Sequence, residues 1–174
     1  MVKLSKIAII GNAGSGKTTV AFKLHEKLSL PLYHLDQYYW TSDWKRVDPE
    51  VFLQAHNDLC EKDEWIIEGS YHKLLYLRAI NSDVIIYLDI PRHKCIFRVI
   101  KRAWLNLGKI IPGSPKAEQN LFTFEFIKFL KWIWNFDKRN KAMIRTIINE
   151  LKNKKKIYIL RSQKEIDNLY NQIN

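Results

Sequence analysis

The chain is 174 residues long, close to the usual size of one domain, and 47% of it is apolar, enough for a substantial core. No stretch reaches the roughly 18 apolar residues of a membrane span, and the start MVKLSKIAIIGN lacks the apolar run and cleavage site of a secretory leader, so no membrane association or secretion is expected. The net charge of +11 sits in one half: residues 1–87 hold ten Lys/Arg against eleven Asp/Glu, whereas 88–174 hold nineteen against seven, a basic half suited to polyphosphate, nucleic acid or anionic lipid, or simply to solvent.

In chain order, residues 4–10 (LSKIAII) read as a buried strand and 17–28 as a helix, with Val20, Leu24 and Leu28 four apart. A short apolar stretch, 32–35, ends at Asp36. Asp48 followed by Pro49 is a helix start, a capping carboxylate and then proline at the first helical position. That helix runs to about Cys60. The stretch WIIE at 65–68 is a third strand, stopped by Gly69. Residues 71–80 are helical, and 83–90 (DVIIYLDI) form a fourth strand. Pro91 opens a basic helix to about Leu107. Residues 108–120 hold two prolines and two glycines and read as a loop. One long or broken helix covers 121–150, a fifth strand 156–160, and a last helix follows. Strands alternating with helices, apolar on both faces, predict a parallel sheet covered on both sides. With no repeat and no linker, 1–174 is expected to be a single α/β domain, with a mobile lid over about 95–145. Cys60 and Cys95 have neither metal spacing nor a CxxC arrangement, and reduced core thiols in a cytoplasmic protein are expected.

The segment IIGNAGSGKTTV carries the spacing GxxxxGK[ST] at Gly11, Gly16, Lys17 and Thr18. The glycines let the backbone turn so that successive N–H groups face phosphate oxygens, and the following helix adds its positive end. Lys17 is placed to reach the β- and γ-phosphates and Thr18 to offer its hydroxyl to Mg²⁺. A strand before and a helix after complete the context of a nucleotide-binding P-loop. It covers Gly11, Asn12, Ala13, Gly14, Ser15, Gly16, Lys17, Thr18 and Thr19.

That loop gives phosphate binding but no reaction. A carboxylate to share Mg²⁺ with Thr18 belongs at the end of a strand beside the first. Glu68 is favoured, because the third strand neighbours the first in kinase-like strand order. The alternative is Asp89, which reads better as a helix-capping carboxylate before Pro91. Asp36, at the carboxyl end of the second strand, is placed to accept a hydroxyl proton or to hold a substrate hydroxyl. Tyr38, Tyr39 and Trp40 form either an aromatic wall for a ring or part of the core. His34, on the opposite face from Leu35 if the strand is regular, is a less favoured functional candidate. Arg98 and Arg102, four apart, share a helix face and suit a lid that clamps ATP; Arg139 and Arg145 would close from the other side, or be solvated. The stretch LFTFEFIKFLKWIWNF, 121–136, has apolar side chains on every side, as in a helix buried all round, docked to a partner, or stacked on single-stranded nucleic acid.

Taken together, GNAGSGKTT, PLYHLDQYYW, EWIIEGSY, LYLRAINSDVIIYLDIPR, RVIKR, FIKFLKWIW and YILRSQKEI resemble the adenylate-kinase-related proteins labelled "DNA topology modulation protein" (FlaR-like) over nearly the whole chain. The resemblance implies a nucleoside-monophosphate-kinase-like core with a five-stranded parallel sheet, a small helical lid opened by Arg98 and Arg102, and ATP with Mg²⁺ at 11–19. Adenylate-type kinases carry Asp-Gly-Phe-Pro-Arg after the third strand; here the segment is Glu68-Gly69-Ser70-Tyr71-His72, and Arg78 is the candidate replacement for the missing arginine. The expected activity is phosphoryl transfer from ATP–Mg²⁺ to a small nucleoside, nucleotide or similar hydroxylated acceptor. Lys17, Asp36, Arg98 and Arg102 would act in catalysis, with Asp36, Tyr39, Glu68, Gly69 and Arg78 at the acceptor, in a monomer or homodimer. The alternatives are an ATP-dependent nucleic-acid-binding protein and a non-catalytic nucleotide-binding protein.

Overall fold

The computed structural model describes residues 4–43, 45–105 and 123–173. Thirteen elements follow in chain order: β1 (Lys6–Gly11), α1 (Lys17–Leu28), β2 (Leu32–His34), α2 (Asp36–Tyr39), α3 (Pro49–Glu61), β3 (Trp65–Glu68), α4 (His72–Asn81), β4 (Val84–Leu88), α5 (Arg92–Leu105), α6 (Phe124–Trp134), α7 (Phe136–Leu151), β5 (Lys156–Leu160) and α8 (Gln163–Gln172). The expected loop over 108–120, and with it the middle of the expected lid, lies outside the described residues.

The strands form one parallel sheet in the order β2-β3-β1-β4-β5. Period-two alternation sends β1 side chains to both faces. Ile7 and Ile9 join Val20, Leu24, Val99, Ile133, Leu160 and Leu169 on one side. On the other, Ala8 packs with Leu35, Phe52 and Trp65, and Ile10 with Leu75, Tyr87 and Ile144. A strand buried on both faces is apolar where it is buried, which is why Ile7–Ile10 (IAII) reads as a continuous run after Lys6. Its start is later than expected, at Lys6, because the Ser5 and Lys6 amides bond to the Asp83 carboxylate, each at 2.9 Å.

Asp48 caps α3 as expected, its carboxylate accepting the Glu50 and Val51 amides. The helix over 121–150 is broken. At Asn135 the chain leaves α6 with φ −89° and ψ 6° and enters α7, and the Asn135 side chain bonds to the Lys131 carbonyl at 2.9 Å. Of the alternatives offered for this stretch, burial on every side does not hold for α6. Only Ile133 of α6 is fully buried, while Phe124 and Ile127 are 65% and 63% exposed. Its aromatics meet cations of the chain itself: Arg92 lies 4.0 Å over Trp134 and Arg139 4.5 Å over Trp132. Arg139 also bonds to the Trp132 carbonyl at 2.7 Å, so it fastens the α6–α7 corner.

Both cysteines are free and buried. Cys60 lies beside His56, whose ring is wholly buried and whose pKa is pushed down to about 4 by that burial and by the nearby Arg78 charge. A depressed histidine pKa means that the unfolded chain binds a proton the fold refuses. Stability from this residue is complete above pH 6.5 and is lost as pH falls from there towards 4, by about 1.4 kcal/mol per unit. Urea unfolding at pH 7.5 and pH 4.5 should therefore show wild-type protein losing about 2 kcal/mol more than a His56→Gln variant.

Candidate active site

The carboxyl ends of β2, β3, β1 and β4 converge, and the register sets who meets whom. His34 pairs with Glu68 across β2 and β3, Ile9 with Glu68 across β3 and β1, and Gly11 with Leu88 across β1 and β4. From Gly11 the chain turns through Asn12–Gly16 and enters α1 at Lys17. Gly16 occupies the cap position with φ 103°, no side chain caps the first turn, and no acidic residue sits in it. The first amides of α1 and its dipole are thus left for an anion. Gly14, at φ +77°, is forced twice over: a Cβ there would lie 2.3 Å from the Cys95 carbonyl oxygen and 2.8 Å from Val99 Cγ2. The loop is pressed onto α5. On its other flank, the buried Asn12 side chain donates to the Ile133 carbonyl at 2.9 Å, tying the loop to α6.

Lys17 Nζ folds back to the Asn12 carbonyl at 3.1 Å. Thr18 Oγ1 donates to Glu68 Oε1 at 3.0 Å, and His34 Nδ1 meets the same oxygen at 2.9 Å. Glu68 is buried. Burial alone would raise its pKa, but the His34 hydrogen bond, the Lys17 charge and the Thr18 hydroxyl outweigh it and hold the carboxyl below its usual range. Asp36, the first residue of α2, follows the end of β2 and is exposed to solvent, although protein groups surround its carboxyl. Its carboxyl is raised by desolvation and by the Glu68 charge, against the Tyr71 hydrogen bond and Lys17. Asp89, the alternative metal carboxylate, is committed elsewhere. It pairs with Lys141 at 3.0 Å and Arg161 at 3.4 Å, binding β4 to α7 and the end of β5. Nor does it cap α5, because the Lys94 and Cys95 amides bond to the Pro91 carbonyl.

Arg98 Nη1 donates to the Ser15 carbonyl at 3.1 Å, so the α5 arginine touches the loop. Arg102, one turn on, is largely desolvated, which lowers its pKa, while the carboxylates of Asp36 and Glu68 pull it back up. Beside the loop, a cleft of about 260 Å³ is lined by Gly16, Thr19, Lys23, Arg98, Gln163 and Tyr170. Its walls are mixed polar and aromatic, and it opens directly beside the start of α1. Ser15 Oγ, buried and without a hydrogen-bond partner among the described residues, is an orphan that a phosphate oxygen would satisfy.

One sequence expectation needs correction. Arg78 does not face an open acceptor site. It is 0% exposed, its Nη2 donates to the Gly69 carbonyl at 2.5 Å, and burial lowers its pKa to about 10. It supports the turn after β3 from behind. Tyr39, expected either in an aromatic wall or in the core, is half-buried in a ring cluster: its centroid is 4.6 Å from Tyr71, 5.0 Å from Phe52 and 5.0 Å from Trp40. Gly69, with φ +142°, sits where a Cβ would strike Leu35 Cβ at 2.9 Å, so the turn after β3 packs directly on the residue before Asp36. Sequence reasoning considered His34 without favouring it and did not reach Tyr71, Gln163 or Tyr170, which the fold brings beside the candidate site. The single usable signal was that EGSY follows a strand end directly.

No family profile matches the chain, and no curated protein matches it in sequence. Solved structures do match in fold. A shikimate kinase from Acinetobacter baumannii, in complex with shikimate, is 18% identical with a TM-score of 0.61, over 98% of this chain and 90% of its own. A shikimate kinase from Bacteroides thetaiotaomicron is 15% identical, with a TM-score of 0.61 over 97% and 96%. A sugar kinase from Janibacter sp. is 14% identical, with a TM-score of 0.55 over 98% and 94%. The five-stranded parallel sheet with flanking helices is the fold of P-loop kinases.

Proposed function

We propose that the chain is an ATP-dependent phosphotransferase acting on a hydroxyl group of a small acceptor. The observation that carries this reading is the meeting of Thr18, Glu68 and His34 at the end of the P-loop, with Asp36 on the acceptor side. A hydroxyl paired with a buried, ionised carboxylate is a hard-oxygen donor set that fits Mg²⁺, and Thr18 and Glu68 would hold it. When bound, Mg²⁺ neutralises charge on the phosphate oxygens. The backbone amides of 11–19 and Lys17 bind the β- and γ-phosphates, and Arg98 and Arg102 draw charge from the transferring group. Asp36 orients the acceptor hydroxyl and takes its proton as the new oxygen–phosphorus bond forms and the bond to the departing nucleoside diphosphate breaks.

The acceptor side favours a hydroxyl over a phosphate. Asp36 and Glu68 are both acidic there, the Asp-Gly-Phe-Pro-Arg arginine is absent, and Arg78 is sealed behind Gly69. The motifs HLDQYYW, EGSY and FLKWIW support membership of the FlaR-like group. The test is ATP consumption with Mg²⁺ over nucleosides, nucleoside monophosphates and hydroxy acids, with Lys17→Ala as control. Turnover raised at least tenfold by one hydroxylated class supports the reading. ATP binding with no acceptor stimulation rejects it, and salt-sensitive DNA binding would then take its place.

A further inference from the structure

Tyr71 has no part in the chemistry above, yet it is the one side chain that hydrogen-bonds to Asp36 among the described residues. Its hydroxyl donates to Asp36 Oδ1 at 2.5 Å. The contact is built from several directions. The Leu35 amide bonds to the Glu68 carbonyl at 3.0 Å, which fixes the chain before Asp36 to the end of β3. Gly69 packs on Leu35, and the Ser70 hydroxyl donates to the Gly11 carbonyl, which anchors the turn leading to Tyr71 on the P-loop side. The Tyr71 ring is then held between Tyr39 and Phe52, 4.6 and 4.9 Å away. Three tilted or edge-on rings leave it little freedom to swing.

We propose that Tyr71 is a positioning residue: its hydroxyl holds Oδ1 of Asp36 so that Oδ2 is presented to the acceptor hydroxyl. The proposal rests on the phosphotransferase reading for its catalytic meaning, but the pairing itself is independent of it. A carboxylate at the start of a four-residue helix has free rotation about two bonds, and fixing one oxygen removes most of it. The phenol is a suitable partner because burial and the Asp36 charge push its pKa up, which favours the protonated, donating form. The groups that act on the Asp36 carboxyl come from every side of the crevice: Glu68 on β3, Lys17 on α1, His34 on β2, Arg102 on α5 and Tyr71 before α4. Of these, Tyr71 alone hydrogen-bonds to it.

The test is Tyr71→Phe, which keeps the ring and its contacts and deletes only the hydroxyl. The Tyr71 bond lowers the Asp36 pKa, so its loss makes Asp36 titrate at higher pH, read from its side-chain carboxyl ¹³C shift. The acid limb of kcat moves up with it, kcat at pH 7 falls about 10- to 100-fold, and KM for ATP stays within about twofold. An Asp36 titration unchanged from wild type overturns the proposal whatever turnover does, and so does a shifted titration with unchanged kcat. If wild-type protein turns over no acceptor but the titration shifts, the pairing stands and the phosphotransferase reading falls. Should Tyr71→Phe unfold, Tyr39→Phe serves as the second variant: it retains the ring packing and the Tyr71 hydroxyl and must leave the Asp36 titration unmoved, and a shift there overturns the assignment to Tyr71.

Discussion

Lys17→Ala is expected to reduce acceptor-dependent ATP turnover by at least about 1,000-fold while leaving the protein folded. The two halves of this expectation come from different observations. Lys17 Nζ makes one hydrogen bond, to the Asn12 carbonyl on a partly exposed loop, so its loss costs the fold under about 1.5 kcal/mol. In turnover it carries far more. A positive charge held against the transferring group acts where water is excluded, and removing a single such donor costs roughly 100- to 1,000-fold. Its charge also adds to the His34 hydrogen bond in keeping the Glu68 carboxyl below its usual range, and opposes the rise at Asp36. Deleting it therefore weakens the metal carboxylate and the base together, which places the loss at or beyond the upper end of that range. Single-turnover kinetics beside a thermal melt check both halves, and an active Lys17→Ala protein would sink the site assignment.

Glu68→Gln should lower turnover about 100-fold or more and raise the Mg²⁺ concentration needed for half-maximal rate. The amide keeps the shape, and its oxygen still accepts from Thr18 Oγ1 and His34 Nδ1, so the melting temperature should move by only a few degrees. What disappears is the negative charge, which a hard divalent cation requires. Glu68→Ala differs in a measurable way. It leaves a buried imidazole nitrogen and a hydroxyl without a partner, at about 1–3 kcal/mol each. A Mg²⁺ titration of rate for Glu68→Gln and a urea titration for Glu68→Ala separate the electrostatic from the structural role. The equivalent Asp89→Asn change should disturb the Lys141 and Arg161 pairs without altering Mg²⁺ dependence.

Much of the fold was readable because each strand is a short apolar run closed by a turn residue: WIIE before Gly69 and KIYIL after a lysine run appear where the pattern puts them. The P-loop was readable because its chemistry is local, nine consecutive residues between a strand and a helix. His34 was not, because its meeting with Glu68 depends on the β2–β3 register, a relation between residues 34 positions apart. Arg78 left a signal that went unused. It stands at apolar spacing with Leu75 and Ala79, all three buried on one face of α4, and an arginine in that place is buried before it is functional. The exposure of Phe124 and Ile127 was hidden for the opposite reason. A helix apolar on every side does not say which side its neighbours cover.

The strand order has a consequence for the birth of the molecule. β1 is synthesised first, but its sheet partners are β3 and β4, and the second of these ends at residue 88. Between them the ribosome must deliver half the chain, and at roughly 5–20 residues per second that takes several seconds or more. β1 has both edges open until β3 is made, and one edge open until β4 follows. The phosphate loop hangs from its end and cannot be shaped before both are closed, since Gly11 is registered against Leu88. This nascent chain has a long window in which a holding chaperone is useful, and its nucleotide site is among the last features to become native.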